Sequence, residues 1–143
     1  MNTVLFACVH NAGRSQMAAG WFNLLVDSTK AQAISAGTDP SPRVHPEVVA
    51  AMNEVGVDLS GAPTSKLTTE LAQGAQTLIT MGCGDQCPVV PGLKRDDWPL
   101  EDPKGKPIAR VREIRDEIRQ HVEALLEREG WHRPERSARK ERP

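Results

Sequence analysis

The feature that most limits the fold is a change from a strand pattern to a helix pattern near the start of the chain. Residues 3–7, TVLFA, are a short apolar and β-branched run, which predicts a buried strand, and Cys8 follows directly. From Ser15 onward, apolar residues recur at spacings of three and four, as in a helix. They are Met17, Ala18, Trp21, Phe22, Leu24 and Leu25. The segment between Cys8 and Ser15 is therefore predicted to turn from a strand into a helix.

The same alternation of strands and helices continues along the chain. The further predicted elements are a strand at residues 33–37, a helix at 45–55, a helix at 67–73, a strand at 77–81 and a long helix at 108–129. This order predicts an α/β fold with a parallel sheet between helices, in which ligands bind at the carboxyl ends of the strands. Cys8 and Cys83 both follow predicted strands at such ends.

Length and composition fit one domain. The 143 residues are 38% hydrophobic and 26% charged, which is typical of a single soluble core. We predict one catalytic domain at residues 1–129. Residues 130–143 mix basic residues with prolines and glutamates, so we predict a flexible C-terminal tail there.

Several classes of protein are disfavoured by the same composition. The formal net charge of -1 gives no electrostatic reason for a nucleic-acid partner. No stretch approaches the roughly 20 apolar residues of a membrane span, and the N-terminus lacks a signal-peptide pattern. Three cysteines are an odd number, which argues against the disulfide framework of a secreted protein. We therefore expect a cytoplasmic monomer with neither a membrane nor a nucleic acid as its partner.

The turn after the first strand has the residues of an oxyanion site. We name residues 9–14 the anion loop. Its successive N–H groups are expected to curl around a tetrahedral oxyanion at the positive end of the following helix. Gly13 permits close approach of the backbone, and Asn11 tolerates a left-handed conformation. Arg14 offers a planar fork to two oxygens of the anion.

Cys8 lies where it would attack an anion held in this loop. The helix N-terminus, the amides and Arg14 all favour a thiolate, and Ser15 is placed to donate one more hydrogen bond to sulfur. An inert buried thiol is the alternative, and His10 either lines the pocket or is only a loop residue. The candidate residues that bind the oxyanion or shape its loop are Val9, His10, Asn11, Ala12, Gly13, Arg14 and Ser15. The loop pattern alone does not distinguish one tetrahedral oxyanion from another.

The sequence resembles the thioredoxin-coupled arsenate reductases, which are built on the low-molecular-weight protein tyrosine phosphatase fold. The matching pieces are VLFACVHNAGRSQMAAGW, ISAG, TMGCGDQCPVVPG and DWPLEDPKGKP followed by RVREIRDEI. They extend over almost the whole chain up to the end of the long predicted helix. The resemblance implies a three-layer sandwich, with a four-stranded parallel sheet and helices on both faces. It also implies reduction of arsenate to arsenite, with phosphate or sulfate as competing oxyanions.

The resemblance also assigns roles to individual residues. Cys8 matches the nucleophile of the family, Arg14 the oxyanion-binding arginine, and Asn11 and Ser15 the residues that shape the loop and support the thiolate. Asp102 matches the acid that protonates the departing oxygen. From the residues alone, an aspartate before a proline would be read as a turn residue.

Cys83 and Cys87 separate a reductase from a phosphatase. They lie in GCGDQCP, and their spacing permits a disulfide if the Cα atoms come within about 7 Å. A zinc site is disfavoured because no two further ligands are near, so we expect no metal. The resemblance implies that Cys83 attacks the Cys8 adduct and that Cys87 then takes over the disulfide. Electrons would come from reduced thioredoxin, and no bound cofactor is expected.

Three other functions remain open at this point. A protein tyrosine phosphatase of this fold usually has aromatic residues after the acid, whereas this sequence has DPKGKP and no Tyr. An arsenate transferase that uses a low-molecular-weight thiol would leave Cys83 and Cys87 without a task. A sensor of arsenic or phosphate is favoured only by the basic tail.

Relatives that bind potassium beside the anion loop have acids where this chain has Ala19 and Lys66, so we predict no potassium stimulation.

Overall fold

A four-stranded parallel sheet lies at the centre of the fold. The computed structural model describes residues 2–82 and 92–133. The strands are β1 (Asn2–Cys8), β2 (Ala31–Gly37), β3 (Thr77–Thr80) and β4 (Lys94–Asp97). The helices are α1 (Arg14–Leu25), α2 (Pro46–Asn53), α3 (Thr69–Gln73) and α4 (Ile108–Glu129). The strands lie in the order β2-β1-β3-β4, and every pair is parallel.

Strand β1 sends alternate side chains to opposite faces of the sheet. Phe6 and Cys8 belong to the larger core, which includes buried residues of α1, α2 and α4. Leu5 and Ala7 belong to a smaller core with Ala72 of α3. This alternation follows from the two-residue period of a strand, which buries both faces when helices cover both. The predicted α/β sandwich with a four-stranded parallel sheet is confirmed.

The bounds of the predicted helices differ only at their ends. Helix α4 spans the predicted residues, and it ends because Gly130 takes a left-handed φ of 73°. Helix α3 begins two residues later than predicted. The Thr68 hydroxyl accepts a hydrogen bond from Leu71 N and caps the helix, while Leu67 N donates to Gly37 O.

Strand β4 is the element that the sequence patterns did not locate. Its residues, KRDD, are all charged and exposed, so they show none of the apolar alternation that predicts a strand. Its backbone nonetheless pairs with β3, from Thr77 opposite Lys94 to Thr80 opposite Asp97. Charged side chains are typical of edge strands, because they oppose pairing with a further strand.

The connections place a crevice at the carboxyl ends of β1 and β3. Strand β1 lies between β2 and β3. The chain therefore passes from β1 to the strand on one side of it, β2, and later adds β3 on its other side. Ligand sites of open parallel sheets form at this reversal of strand order. Cys8 ends β1, and Gly82 lies just beyond β3, where Met81 N donates to Ala7 O.

The chain keeps contact with the domain for a few residues after α4. The Trp131 ring packs edge-on against Phe22 with 6.1 Å between centroids, and Arg133 N donates to Leu25 O. The rest of the predicted tail, residues 134–143, lies outside the described residues. Among the helices of residues 2–82 and 92–133, none has the length and apolar character to cross a membrane.

An ion-pair cluster joins the end of α2 to α4. Glu54 accepts hydrogen bonds from Arg112 and from Arg115, with shortest distances of 2.7 and 2.8 Å. Arg115 also donates to Ala51 O, one of the last carbonyls of α2. The hydrogen bonds from Arg112 and then Arg115 lower the pKa of Glu54 to about 2, although partial burial acts in the opposite direction.

We expect Glu54→Gln to lower the thermal unfolding midpoint at pH 7. Folding lowers the pKa of Glu54 from 4.5 to about 2. The contribution of Glu54 to folding stability is therefore complete above the pKa of the unfolded chain and is lost as the pH falls toward the folded pKa. The difference between wild type and variant should therefore close between pH 4.5 and about 2. Calorimetry across this range measures it. Glu127→Gln, an exposed α4 glutamate without an ion pair among the described residues, is the control. An equal pH-dependent gap in that control would contradict the assignment.

Candidate oxyanion site

The carbonyl oxygens from Cys8 to Gly13 all accept hydrogen bonds that hold them away from the centre of the anion loop. The donors, in order of residue, are Thr38 N, Asp39 N, Ser41 N, Gln16 Nε2, His45 N and Met17 N, at 2.7–3.2 Å. The N–H groups of residues 9–14 have no acceptor among the described residues. Buried backbone donors are normally satisfied, so these converging amides make the loop a candidate site for an anion.

Asn11 fixes the curvature of the loop. It is fully buried and takes a φ of 50°, the left-handed region that favours asparagine among side chains with a Cβ. Its Nδ2 donates to Ser15 Oγ at 2.8 Å, and its Oδ1 accepts from Ser65 N at 2.9 Å. One side chain thereby connects the loop to the start of α1 and to the segment before α3.

The Cys8 thiol lies at the base of the loop and is 3% exposed. Its Sγ is 2.9 Å from Ser15 Oγ. Because Ser15 already accepts a hydrogen bond from Asn11, its own hydroxyl hydrogen remains available to the sulfur. A thiolate here would also face the N-terminus of α1, whose partial positive charge stabilises anions.

Arg14 connects three segments of the site. Its Nη1 donates to Leu100 O at 3.1 Å, and its Nη2 lies 3.7 Å from Asp102 Oδ2. The guanidinium also lies against Gly82, where an added Cβ would come within 2.6 Å of Nη1. The arginine of the anion loop is therefore positioned by residues that follow β3 and β4.

Asp102 lies in a segment that we name the acid loop, residues 101–107. The acid loop rests on the anion loop, because a Cβ at Gly13 would meet Pro103 Cγ at 2.9 Å. Asp102 Oδ1 accepts from Lys104 N at 3.0 Å, as in a short turn, and its side chain is 46% exposed. The carboxyl group is thus placed at the solvent side of Arg14.

Two residues of the site had no predicted role. A Cβ at Gly37 would lie 2.5 Å from Val9 O and 2.8 Å from Asn11 N, so only glycine lets β2 end against the anion loop. Gln16 reaches back to the loop from α1, and its Nε2 donates a hydrogen bond to Asn11 O. The glycine at a strand end was visible in the sequence, whereas nothing in the helix pattern distinguishes Gln16.

The remaining predicted residues divide into two groups. His10 is half-buried, and its Nδ1 lies 3.0 Å from Asp39 O, which ties the ring to the segment after β2. Cys83 and Cys87 lie outside the described residues. Among residues 2–82 and 92–133, no group of three His, Cys, Asp or Glu side chains is placed to hold a metal ion.

A buried thiol beneath convergent amides, with an arginine and a carboxyl group at the rim, forms a candidate cysteine-based oxyanion site on a parallel α/β sheet. A family model described as low molecular weight phosphotyrosine protein phosphatase matches residues 3–134. The chain therefore belongs to the low molecular weight phosphotyrosine protein phosphatase family.

Several relatives of this chain are named arsenate reductases. A glutaredoxin arsenate reductase of Synechocystis is 36% identical over 129 residues, which are 88% of this chain and 97% of that protein. A solved thioredoxin-dependent arsenate reductase of Corynebacterium glutamicum is 38% identical with a TM-score of 0.77; the match covers 89% of this chain and 61% of that one. A solved arsenate reductase in its oxidized state is 35% identical, with a TM-score of 0.79. The match covers 90% of this chain and 98% of that chain.

We expect Gly82→Ala to weaken oxyanion binding by about tenfold or more, because the added methyl displaces the Arg14 fork, a charge-assisted donor. Protection of Cys8 from iodoacetamide by phosphate measures the affinity. Gly56→Ala is a matched control: Gly56 has a similar positive φ, 86° against 95°, but nothing within 4 Å of the added Cβ. Equal affinities of the two variants would show that Gly82 does not position Arg14.

Proposed function

We propose that this chain reduces arsenate to arsenite, with Cys8 as the nucleophile. The observation that carries the proposal is the anion loop, in which all six carbonyls from Cys8 to Gly13 are held outward. The loop amides and Arg14 would surround three oxygens of a tetrahedral anion. The sulfur beside Ser15 would then lie below the central atom.

The loop alone does not separate arsenate from phosphate, because the two anions have the same shape and charge. The proposal for arsenate is supported by Cys83 and Cys87, two further thiols that hydrolysis of a phosphate ester does not use. The acid loop also lacks an aromatic side chain that would stack on a phosphotyrosine ring. The names of the relatives support the same choice.

In the proposed first step, the Cys8 thiolate attacks arsenic and a hydroxyl group departs. Asp102 donates a proton to the departing oxygen, which leaves as water. Its position 3.7 Å from Arg14 supports this role, because a group beside the guanidinium faces the rim of a bound oxyanion. The product is a Cys8 thioester of arsenate, still at the As(V) level.

In the proposed second and third steps, the cysteines supply two electrons. The Cys83 thiolate attacks Cys8 sulfur, the sulfur–arsenic bond breaks with its electron pair on arsenic, and arsenite leaves as As(III). Cys87 then attacks Cys83, so that the disulfide moves to Cys83 and Cys87 and the Cys8 thiolate is released. A reduced dithiol restores the two thiols in a final exchange.

We propose reduced thioredoxin as that dithiol and expect no bound cofactor. Thioredoxin dependence is named for the Corynebacterium structure and a glutaredoxin for the Synechocystis relative, so the two donors are the ones to compare.

A relay that begins from free thiols requires a reducing compartment, which supports a cytoplasmic location. We also propose that residues 1–129 act as one catalytic domain and as a monomer.

The decisive experiment measures arsenite production with thioredoxin, thioredoxin reductase and NADPH. We expect continuous turnover of wild type with this system and little with glutathione and glutaredoxin, because the Cys83–Cys87 disulfide needs a dithiol donor. A phosphatase would produce no arsenite, and a transferase would require the low-molecular-weight thiol. Continuous turnover with glutathione and glutaredoxin alone would contradict the thioredoxin assignment.

Two matched variants test the order of the relay in the same assay. Cys83→Ser should release no arsenite, because its adduct has no attacking thiol. Cys87→Ser should release about one arsenite per chain and then stop as the Cys8–Cys83 disulfide. Many turnovers of Cys87→Ser with thioredoxin would show that the relay as written is wrong.

Lys66 supports our expectation that no potassium ion is needed. Its Nζ donates to Thr38 O at 2.7 Å, on the segment whose N–H groups hold the anion loop. Gln16 Nε2 lies 2.9–3.3 Å from Pro63 O, Asn11 O and Asn11 Oδ1, so an amide donor already serves these oxygens. We propose that Lys66 supplies positive charge there, which would repel a cation.

We therefore expect potassium and sodium chloride at equal ionic strength to give the same kcat/KM and the same thermal midpoint. Lys66→Glu, which introduces an acid at this place, is the informative variant: it should create a preference for potassium if charge alone excludes the ion. A clear gain of the wild type in potassium over sodium would refute the expectation.

A further inference from the structure

We propose that Arg110 is a positioning residue for Asp102, acting through Glu101 on the acid loop. The proposal rests on the proposed function, because it assigns Arg110 to the same protonation step. Arg110 lies on α4, and among the described residues its side chain contacts carboxylates rather than the anion loop. It would therefore act on the reaction only through the placement of Asp102.

Asp102 has few strong contacts of its own. The distance of 3.7 Å between its Oδ2 and Arg14 Nη2 exceeds that of a hydrogen bond. Among the described residues, its Oδ1 bonds only within its own turn, to Lys104 N. Nearly half of its side chain is exposed. A general acid loses efficiency when its proton is misplaced by about 1 Å, so the backbone of the acid loop has to fix its position.

The residue just before Asp102 supplies such an anchor. Arg110 Nη2 and Nε both donate to Glu101 Oε1, at 2.7 and 3.1 Å. Lys106 Nζ lies 3.3 Å from the other oxygen, Oε2. The hydrogen bonds from Arg110 and then Lys106 hold the pKa of Glu101 below its usual value, so the carboxylate stays ionised at neutral pH. The loop is thereby attached to α4 at the position adjacent to the acid.

The orientation of Arg110 is set by two other glutamates of α4. Its Nη1 lies 3.0 Å from Glu113 Oε1 and 3.6 Å from Glu117 Oε1, three and seven residues along the helix. A cation in the first turn of a helix is disfavoured by the helix dipole. The carboxylates around Arg110, and not its place in the helix, therefore stabilise it there. They direct the rest of the guanidinium toward Glu101.

Two other contacts of the acid loop remain when Arg110 is removed. Pro103 still packs on Gly13, and Gly105 N lies 3.4 Å from Glu47 Oε2. These contacts keep the loop near the site. They follow Asp102 in the sequence, whereas Glu101 precedes it, so loss of Arg110 should loosen the loop at Glu101 and Asp102. Arg14 keeps its contact with Gly82, which lies outside the acid loop.

The experiment compares Arg110→Ala and Arg110→Lys with Arg112→Ala. Arg112 is a matched control, because it lies on the same helix and pairs with Glu54, away from the acid loop. We expect Arg110→Ala to lower kcat for arsenate about tenfold with KM within about twofold, because the anion loop is unchanged. Arg110→Lys should be intermediate, since it keeps the charge but not the fork. Arg112→Ala should stay within about twofold of wild type.

An Asp102→Asn background separates positioning from a general structural effect. If Arg110 acts through Asp102, adding Arg110→Ala to Asp102→Asn should lower kcat less than about twofold further. A full tenfold loss in that background would overturn the proposal, as would equal kcat values for Arg110→Ala and Arg112→Ala. If Arg110→Ala does not fold, Glu101→Gln removes the same contact from the other side.

Hydrogen exchange tests the placement of the acid loop without any assay of arsenate. Peptides that cover residues 100–106 should exchange several-fold faster in Arg110→Ala than in wild type or Arg112→Ala. If the wild type forms no arsenite, the proposed function fails and this measurement still decides the positioning role. Unchanged exchange in Arg110→Ala would overturn the proposal even in an active arsenate reductase.

Discussion

The site depends on a backbone pairing between the anion loop and the segment after β2. N–H groups from Thr38 to His45 take four of the six carbonyls from Cys8 to Gly13, and the side chain of Gln16 takes a fifth. Each peptide unit that points its carbonyl outward points its N–H inward, so this pairing turns the amides of the candidate site toward the centre of the loop. Gly37 is part of the same constraint, because no larger residue fits between β2 and the loop.

Much of the fold was predictable because β1, α1 and α4 bury apolar residues at regular spacings. The same reasoning missed β4, whose four exposed charged residues are held by pairing with β3 rather than by burial. The turn with Cys8, Asn11 and Arg14 was predictable from local sequence, because its chemistry lies within a few consecutive residues. Gln16 and Gly82 act through contacts with residues distant in sequence, which no local pattern encodes.

Arg14 shows how the separate loops become one site. Its guanidinium contacts Leu100 O, faces Asp102 and lies against Gly82. The connection after β1, which carries Arg14, thereby meets the connections that follow β3 and β4. The role of Asp102 came from resemblance alone, since an aspartate before a proline is ordinarily a turn residue. In the structure it forms such a turn with Lys104 and also faces the arginine, so the local pattern and the candidate role are compatible.

The inward amides of the anion loop also have a consequence for the stability of the protein. Donor dipoles that converge on one point repel each other, and a bound oxyanion removes that repulsion only in the folded chain. Any oxyanion that binds in the loop, inorganic phosphate included, would therefore stabilise the native state by mass action. Arsenate would have to displace such an occupant, so the anion that protects the fold would also set the threshold at which the protein responds to arsenate.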